Sequence, residues 1–350
     1  MDMTSETDIA CERIGEAGVV TLNRPKALNA LNLAMVRGLA AALDAWEHHP
    51  AITRVVIRGA GEKAFCAGGD IRLLHDLGRA GQLDEARGFW HEEYVLNMRI
   101  KAYPKPYIAL IDGIVMGGGV GVSLHGSHVA AGERYLFAMP EVGIGFFPDV
   151  GASHALPRLP GASGTYLAVT GDRIGPRDAL ALGLATHAVT SAGMGSLLDA
   201  LCRGEPIDAA LLAHAAPCAD APIMARRKLI DHVFGADSVE DIVARLRAAD
   251  DPFAATLLER LATKSPTSMK IALRQMRDGR GLGFEDAMRM EYRIVNRIAE
   301  GHDFYEGVRA VIIDKDQRPD WKPARIEDVT ENMVSAYFAP LAAELPGSSA

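Results

Sequence analysis

The sequence predicts an α/β fold. Three observations carry the prediction: short β-branched runs recur through the first half, glycine-rich turns separate them, and apolar residues at helical spacing fill the intervals. Beyond about residue 190 the strand signal gives way to successive helical patterns. We therefore expect a core over 1–205 and a helical C-terminal region over 206–350 that packs on it.

Val19-Val20-Thr21-Leu22 reads as the first strand. Asn32 is a helix N-cap ahead of Leu33, Val36, Leu39, Ala40 and Leu43, which repeat at helical spacing to Trp46. Val55-Val56-Ile57 is the next strand, followed by the turn Gly59-Ala60-Gly61 and a short element at Ala64-Phe65-Cys66. Asp70 is placed to cap a helix through Ile71, Leu73 and Leu74, and Trp90-His91-Glu92-Glu93-Tyr94 lies on another helix. Tyr107-Ile108-Ala109-Leu110-Ile111 is a buried strand ended by Asp112-Gly113. Gly117-Gly118-Gly119-Val120-Gly121 leads into Val122-Ser123-Leu124, read as the opening turn of a buried helix, with His125 and His128 settling hydrogen bonds around it. Strands follow at Arg134-Tyr135-Leu136-Phe137-Ala138 and Thr186-His187-Ala188-Val189. Helical periods then cover 194–202, 223–234, 239–249, 252–263, 268–278 and 284–301, and 340–350 is expected to fray.

Composition narrows the function classes. In 350 residues, 49% hydrophobic content and 23% charge describe an ordinary soluble protein, and a formal net charge of -8 without a basic stripe argues against nucleic-acid binding. Arg226-Arg227-Lys228, the longest basic run, reads as a solvated helix face. Cys11, Cys66, Cys202 and Cys218 show no metal-ligand spacing and are too sparse for a disulfide framework, which fits a reducing cytoplasm. The start, Met1-Asp2-Met3-Thr4-Ser5-Glu6, is acidic and lacks the pattern of a signal peptide, and no run reaches about 18 uninterrupted apolar residues. Neither a metal nor a membrane partner is expected.

The chemistry concentrates in three places. Gly117 to Gly121 follows a strand and opens a helix, where unpaired N–H groups and glycine's lack of a side chain suit an anionic oxygen. Tight helix-to-sheet packing would explain some of these glycines, and a dinucleotide loop is disfavoured because the spacing is not G-x-G-x-x-G. Phe65-Cys66-Ala67-Gly68-Gly69-Asp70 offers a second glycine pair, so donors on two loops can converge on one oxygen as an oxyanion hole. Cys66 has no evident His partner and reads as packing. Glu141 and Asp149 sit in Met139-Pro140-Glu141-Val142-Gly143-Ile144-Gly145-Phe146-Phe147-Pro148-Asp149, where apolar neighbours strip a carboxylate of water. Turn chemistry accounts well for Asp149 beside Pro148 and Gly151, and poorly for Glu141. Of Glu92 and Glu93, one faces the site and the other water, because adjacent helical residues do not share a face.

These residues carry a resemblance. Asn23-Arg24-Pro25-Lys26-Ala27-Leu28-Asn29-Ala30-Leu31, then Ala64 to Ile71, then Met116 to Gly121 resemble the successive signatures of the enoyl-CoA hydratase/isomerase (crotonase) superfamily. Glu92-Glu93-Tyr94-Val95-Leu96-Asn97, Phe137-Ala138-Met139-Pro140-Glu141, Phe146-Phe147-Pro148-Asp149-Val150-Gly151 and Ser265-Pro266-Thr267-Ser268 resemble its 3-hydroxyisobutyryl-CoA hydrolase branch.

The resemblance implies a spiral of strand-strand-helix turns with a helical C-terminal region, no cofactor beyond the CoA of the substrate, valine breakdown as the pathway, and self-association. It also implies that Gly69 and Gly118 donate to the thioester oxygen and that Lys26 and Ala67 line the CoA groove. Glu141 becomes the principal catalytic carboxylate, with Asp149 and Glu93 at the hydroxyacyl end. Hydratases of the superfamily carry a second glutamate where this chain has Gly121, so concerted hydration lacks one of its acid/base partners. Hydrolysis of a short branched 3-hydroxyacyl-CoA leads. An enoyl-CoA hydratase or isomerase comes next, then a non-enzymatic CoA-binding protein. A serine-peptidase reading fails for want of a Ser with convergent His and Asp partners.

Overall fold

The computed structural model describes residues 7–217 and 219–347. Cys218 and the acidic start at residues 1–6 lie outside the described residues. The nine strands among them are β1 (Ile9–Ile14), β2 (Ala17–Leu22), β3 (Arg54–Gly59), β4 (Ala64–Cys66), β5 (Tyr107–Ile111), β6 (Ile114–Met116), β7 (His128–Ala131), β8 (Leu136–Ala138) and β9 (His187–Ala188). A six-stranded sheet runs β1-β2-β3-β5-β7-β9, and a second sheet runs β4-β6-β8. β1 and β2 form an antiparallel hairpin, whereas β2, β3, β5, β7 and β9 pair in parallel. Parallel pairing needs crossovers, and the helical segments of the sequence supply them.

The larger sheet is built on registered apolar rows. Val19 pairs with Val56 and Val56 with Ile108, so three strands put an apolar side chain on one face at one level. That face is buried against Leu197 and Leu201 of the helix Met194–Cys202 and Leu211 of Ile207–Ala213. At roughly 25 cal/mol per Å² of apolar area, such rows supply the main driving force for this layer.

The residues form two compact units that interleave along the chain, unlike the single cut near residue 205 expected from sequence. One comprises the chain up to Gly69 with Leu96–Phe137 and Ile174–Pro222, and holds the six-stranded sheet. The other comprises Asp70–Val95, Ala138–Arg173 and the chain from Ile223 on, and is largely helical. No helix among the described residues is long and apolar enough to cross a membrane.

Several expectations are met closely. Asn32 accepts a hydrogen bond from Met35 N at 2.9 Å and caps the helix Leu33–Glu47; Asp70 likewise accepts from Leu73 N at the head of Ile71–Arg79. The helices at 194–202, 223–234, 239–249, 252–263, 268–278 and 284–301 are present with ends shifted by at most three residues.

Three expectations are corrected. The helix expected at Val122 ends at Gly121 and continues only as turns, with Ser123 Oγ donating back to Gly119 O at 2.7 Å. His128 accordingly starts β7, beside Ser127 Oγ at 2.8 Å, and lies outside any buried helix. The tail does not fray over its described part: Leu345 is 1% exposed, Glu344 pairs with Arg293 at 2.8 Å, and Arg297 donates to Pro340 O. One buried leucine and two arginines of the helix Phe284–Ile298 anchor a segment whose composition alone promises little.

Candidate active site

The sheet-bearing unit holds the predicted backbone donors. β4 and β6 pair in parallel, Ala64 with Ile114 and Cys66 with Val115, so the loops that leave their C-terminal ends emerge side by side. A Cβ on Gly68, which stands at φ +122, would lie 3.6 Å from Met116 O and 3.9 Å from Gly118 N. Gly117 at φ +46 and ψ -123 makes a turn that only glycine adopts readily, and Gly118 follows as the first residue of the short helix Gly118–Gly121. First-turn N–H groups have no intrahelical partner. Gly69 lies next to Gly68 and bridges to Leu31, while Leu31 N donates to Gly68 O at 2.8 Å. Gly121 is buried and brings no side chain to this place.

Lys26 and Ala67 belong to the same neighbourhood. Lys26 is exposed on the turn Pro25–Ala27, and Ala67 N donates to Leu28 O at 3.0 Å. Asn29 holds the arrangement. Fully buried at φ +56, it accepts from Arg24 N and donates to Ala60 O and Ala64 O, each at 2.9 Å. The Lys26 turn is thereby tied to β4, whose following loop carries Gly68 and Gly69. Cys66 is buried and its thiol donates to Gly68 O at 3.5 Å, which supports its packing role.

The helical unit holds the carboxylates. Glu141 begins the 3-10 turn Glu141–Ile144 at 7% exposure, and Asp149, at 5%, follows the aromatic pair Phe146 and Phe147. Glu93 is buried on the helix Leu83–Ala102, and Glu92 beside it is half-buried. Tyr94 Oη donates to Asp149 Oδ2 at 2.8 Å. One oxygen of Glu141 and one of Glu93 are buried with no hydrogen-bond partner among the described residues. Native interiors seldom leave such atoms unpaired, so each asks for an explanation beyond folding.

Burial dominates the proton affinities. It pushes Asp149 up to about 7, while the Tyr94 hydrogen bond pulls the other way by favouring the anion. Burial raises Glu141 and Glu93 well above the ordinary carboxylate range, and the charge of Asp149 raises both further. Three carboxyl groups that repel one another in one dry region do not all ionise together.

Three buried polar residues escaped the sequence reading. Glu291 accepts from Gly151 N and from Ser153 N, each at 2.8 Å. Gln275 Nε2 donates to Pro148 O and Ser153 Oγ at 2.8 and 2.7 Å. Asn97 is fully buried with both amide atoms unpartnered among the described residues. Their common signal is a polar residue inside a helical apolar stripe: Ala287, Met288, Glu291, Ile294, Val295 in one case and Trp90, Glu93, Tyr94, Asn97 in another.

A family model described as enoyl-CoA hydratase/isomerase matches residues 17–338. A Xenopus tropicalis protein named 3-hydroxyisobutyryl-CoA hydrolase, mitochondrial, is 48% identical over 341 residues, covering 94% of this chain and 88% of its own. The Homo sapiens protein of that name is 44% identical over 353 residues, with 97% and 91% covered. A solved structure named as a carnitinyl-CoA dehydratase from Mycobacterium thermoresistibile matches with a TM-score of 0.94 at 41% identity, covering 99% of this chain and 100% of its own. An enoyl-CoA hydratase structure from Rhodobacter sphaeroides 2.4.1 gives 0.89 at 41% identity, covering 96% and 98%. These likenesses bear out the crotonase-like α/β fold with its helical C-terminal region. Across nearly its whole length, then, the chain belongs to the enoyl-CoA hydratase/isomerase family, on its 3-hydroxyisobutyryl-CoA hydrolase branch.

Proposed function

We propose that this chain hydrolyses the thioester of a short branched 3-hydroxyacyl-CoA, foremost 3-hydroxyisobutyryl-CoA, to CoA and the free hydroxy acid. The observation that carries the reading is Glu141: a carboxyl group 7% exposed, with one oxygen unpartnered among the described residues, beside a second buried acid that raises its proton affinity. The names of the relatives support the substrate.

In this mechanism the N–H groups of Gly69 and Gly118 hold the thioester oxygen as it becomes an oxyanion. Losing one such donor typically costs about 3 kcal/mol in the transition state. Glu141 either attacks the carbonyl carbon to form a mixed anhydride or activates a water as general base. Either route needs Glu141 ionised, and burial together with the charge of Asp149 makes its carboxylate a strong base once the proton has left. Asp149 accepts from the substrate's 3-hydroxyl and Glu93 contacts the same group, so an acyl group lacking it would leave buried polar atoms unpaired. Lys26 and the Ala67 segment line the CoA groove. Cys11, Cys66 and Cys202 form no disulfide among the described residues, in keeping with a reducing compartment. The relatives' names carry the word mitochondrial, so we propose such a compartment without choosing the cytoplasm.

Hydration or dehydration is the second reading, favoured by the names of the two solved structures and opposed by Gly121. A panel of acyl-CoAs, with and without a 3-hydroxyl, assayed for free thiol and for absorbance of the double bond, separates the two. Thiol release confined to 3-hydroxyacyl substrates is the expected result; a double-bond signal without thiol would overturn the hydrolase reading.

A further inference from the structure

We propose that Glu291 is a positioning residue: from the helix Phe284–Ile298 the two oxygens of its carboxyl group hold the loop 148–153 in the shape that presents Asp149 to the substrate. The proposal rests on the hydrolase reading only for what Asp149 meets.

The loop has an unusual backbone. Val150 stands at φ +52, a left-handed conformation that β-branched side chains rarely adopt, and Gly151 follows at φ +89. Strain of this kind persists only where the surroundings over-determine it. Here they do. Gly151 N and Ser153 N donate to the two separate oxygens of Glu291, both at 2.8 Å. From the helix Pro266–Gly279, Gln275 donates to Pro148 O on the other side of Asp149 and to Ser153 Oγ. The residues flanking Asp149 are therefore gripped by side chains of two C-terminal helices, while Tyr94 grips its carboxylate.

Folding alone does not account for Glu291. It is fully buried in a stripe with Ala287, Met288, Ile294 and Val295, where an apolar side chain would avoid the desolvation of a carboxylate. Burial pushes this group up to about 8, and the charge of Asp149 adds to the rise. The backbone and Ser153 hydrogen bonds favour the anion and offset part of that cost. A carboxylate in this place is intelligible if the strained loop geometry is itself required.

The test is Glu291→Gln, which keeps volume but sets an amide NH2 against a backbone N–H. With the fold intact by circular dichroism, kcat for thiol release is expected to fall at least tenfold, with the KM for acyl-CoA within threefold of wild type. The Gly151 and Ser153 amides should exchange faster with solvent. Adding Val150→Gly, which relieves the left-handed strain, should recover at least fivefold of the lost kcat. If Glu291→Gln does not fold, Gln275→Met removes the companion grip, and the same kcat-against-KM split is expected. Wild-type kcat in folded Glu291→Gln, kcat and KM changing together, or no recovery with Val150→Gly would each overturn the proposal. Wild-type thiol release is measured first. Its absence tells against the hydrolase reading, and the positioning role is then judged by the same ratios on the double-bond reaction and by amide exchange.

Discussion

Tyr94 Oη donates a 2.8 Å hydrogen bond to Asp149 Oδ2, and both side chains are buried. The bond joins the helix Leu83–Ala102 to the loop after Phe147, and it favours the charged form of Asp149. A donor aimed at a carboxylate favours its charged form, so the Tyr94 bond opposes the burial that pushes Asp149 up to about 7. Tyr94 in turn keeps its own proton, because burial and the charge of Asp149 raise its pKa.

Tyr94→Phe should therefore raise the pKa of Asp149 above about 7. The acidic limb of the kcat/KM profile is expected to move to higher pH by roughly half a unit to one unit. Loss of a hydrogen bond to a charged group should also lower stability by about 1.5–3 kcal/mol. A pH titration of thiol release and a denaturant melt check the two effects, and an unmoved limb would remove Asp149 from the rate-determining ionisation.

Glu141→Gln and Asp149→Asn should each lower thioester cleavage at least tenfold while leaving CoA affinity largely intact. Both amides keep the shape of the acid but can neither attack nor take up a proton. Thiol trapping with calorimetric titration of CoA reads the two quantities. Near-normal turnover in both variants would sink the assignment.

Stability should depend on pH through the same group. The folded pKa of Asp149, about 7, lies above its unfolded value. Between roughly pH 4 and 7 the folded state therefore binds more protons than the unfolded chain, and stability falls as pH rises through that window. Asp149→Asn removes the cost of charging a buried acid. Its stability relative to wild type should increase from pH 5 to pH 8, by at least about 1 kcal/mol, since a tenfold change in proton affinity corresponds to about 1.4 kcal/mol. Urea melts at both pH values decide the sign.

Asn97→Leu should be more stable than wild type and less active. A buried amide with neither atom paired among the described residues costs about 1–3 kcal/mol, and an apolar side chain of similar volume recovers part of that. If Asn97 serves the reaction, kcat/KM drops at least tenfold in the stabilised variant. A stabilised enzyme with unchanged turnover would return Asn97 to a structural account.

Parts of the molecule were legible because they rest on local rules. Asn32 and Asp70 announce helix starts by capping chemistry, and Val19, Val56 and Ile108 announce strands by branching and burial. β1, β6 and β7 were not legible. β1 carries Glu12 and Arg13 on a sheet edge, β6 is three residues beyond a turn at Asp112-Gly113, and β7 begins with a histidine. Each is a strand because a partner strand lies beside it, and short segments have no periodicity that declares this. The tail failed for the same reason in reverse, since Leu345 is ordered by arginines some fifty residues earlier in the chain.

The sequence by itself determined which groups exist: glycines at 69 and 118 with room for an oxygen, acids at 93, 141 and 149, and no acid at 121. Backbone freedom and the presence or absence of a carboxyl group are properties of single residues. Only the tertiary structure decided that burial raises the proton affinity of these acids, which of their oxygens go unpaired among the described residues, and that Glu291 and Gln275 grip the loop bearing Asp149. Desolvation, Coulomb repulsion and hydrogen-bond geometry depend on neighbours distant along the chain, and folding alone brings those neighbours into range.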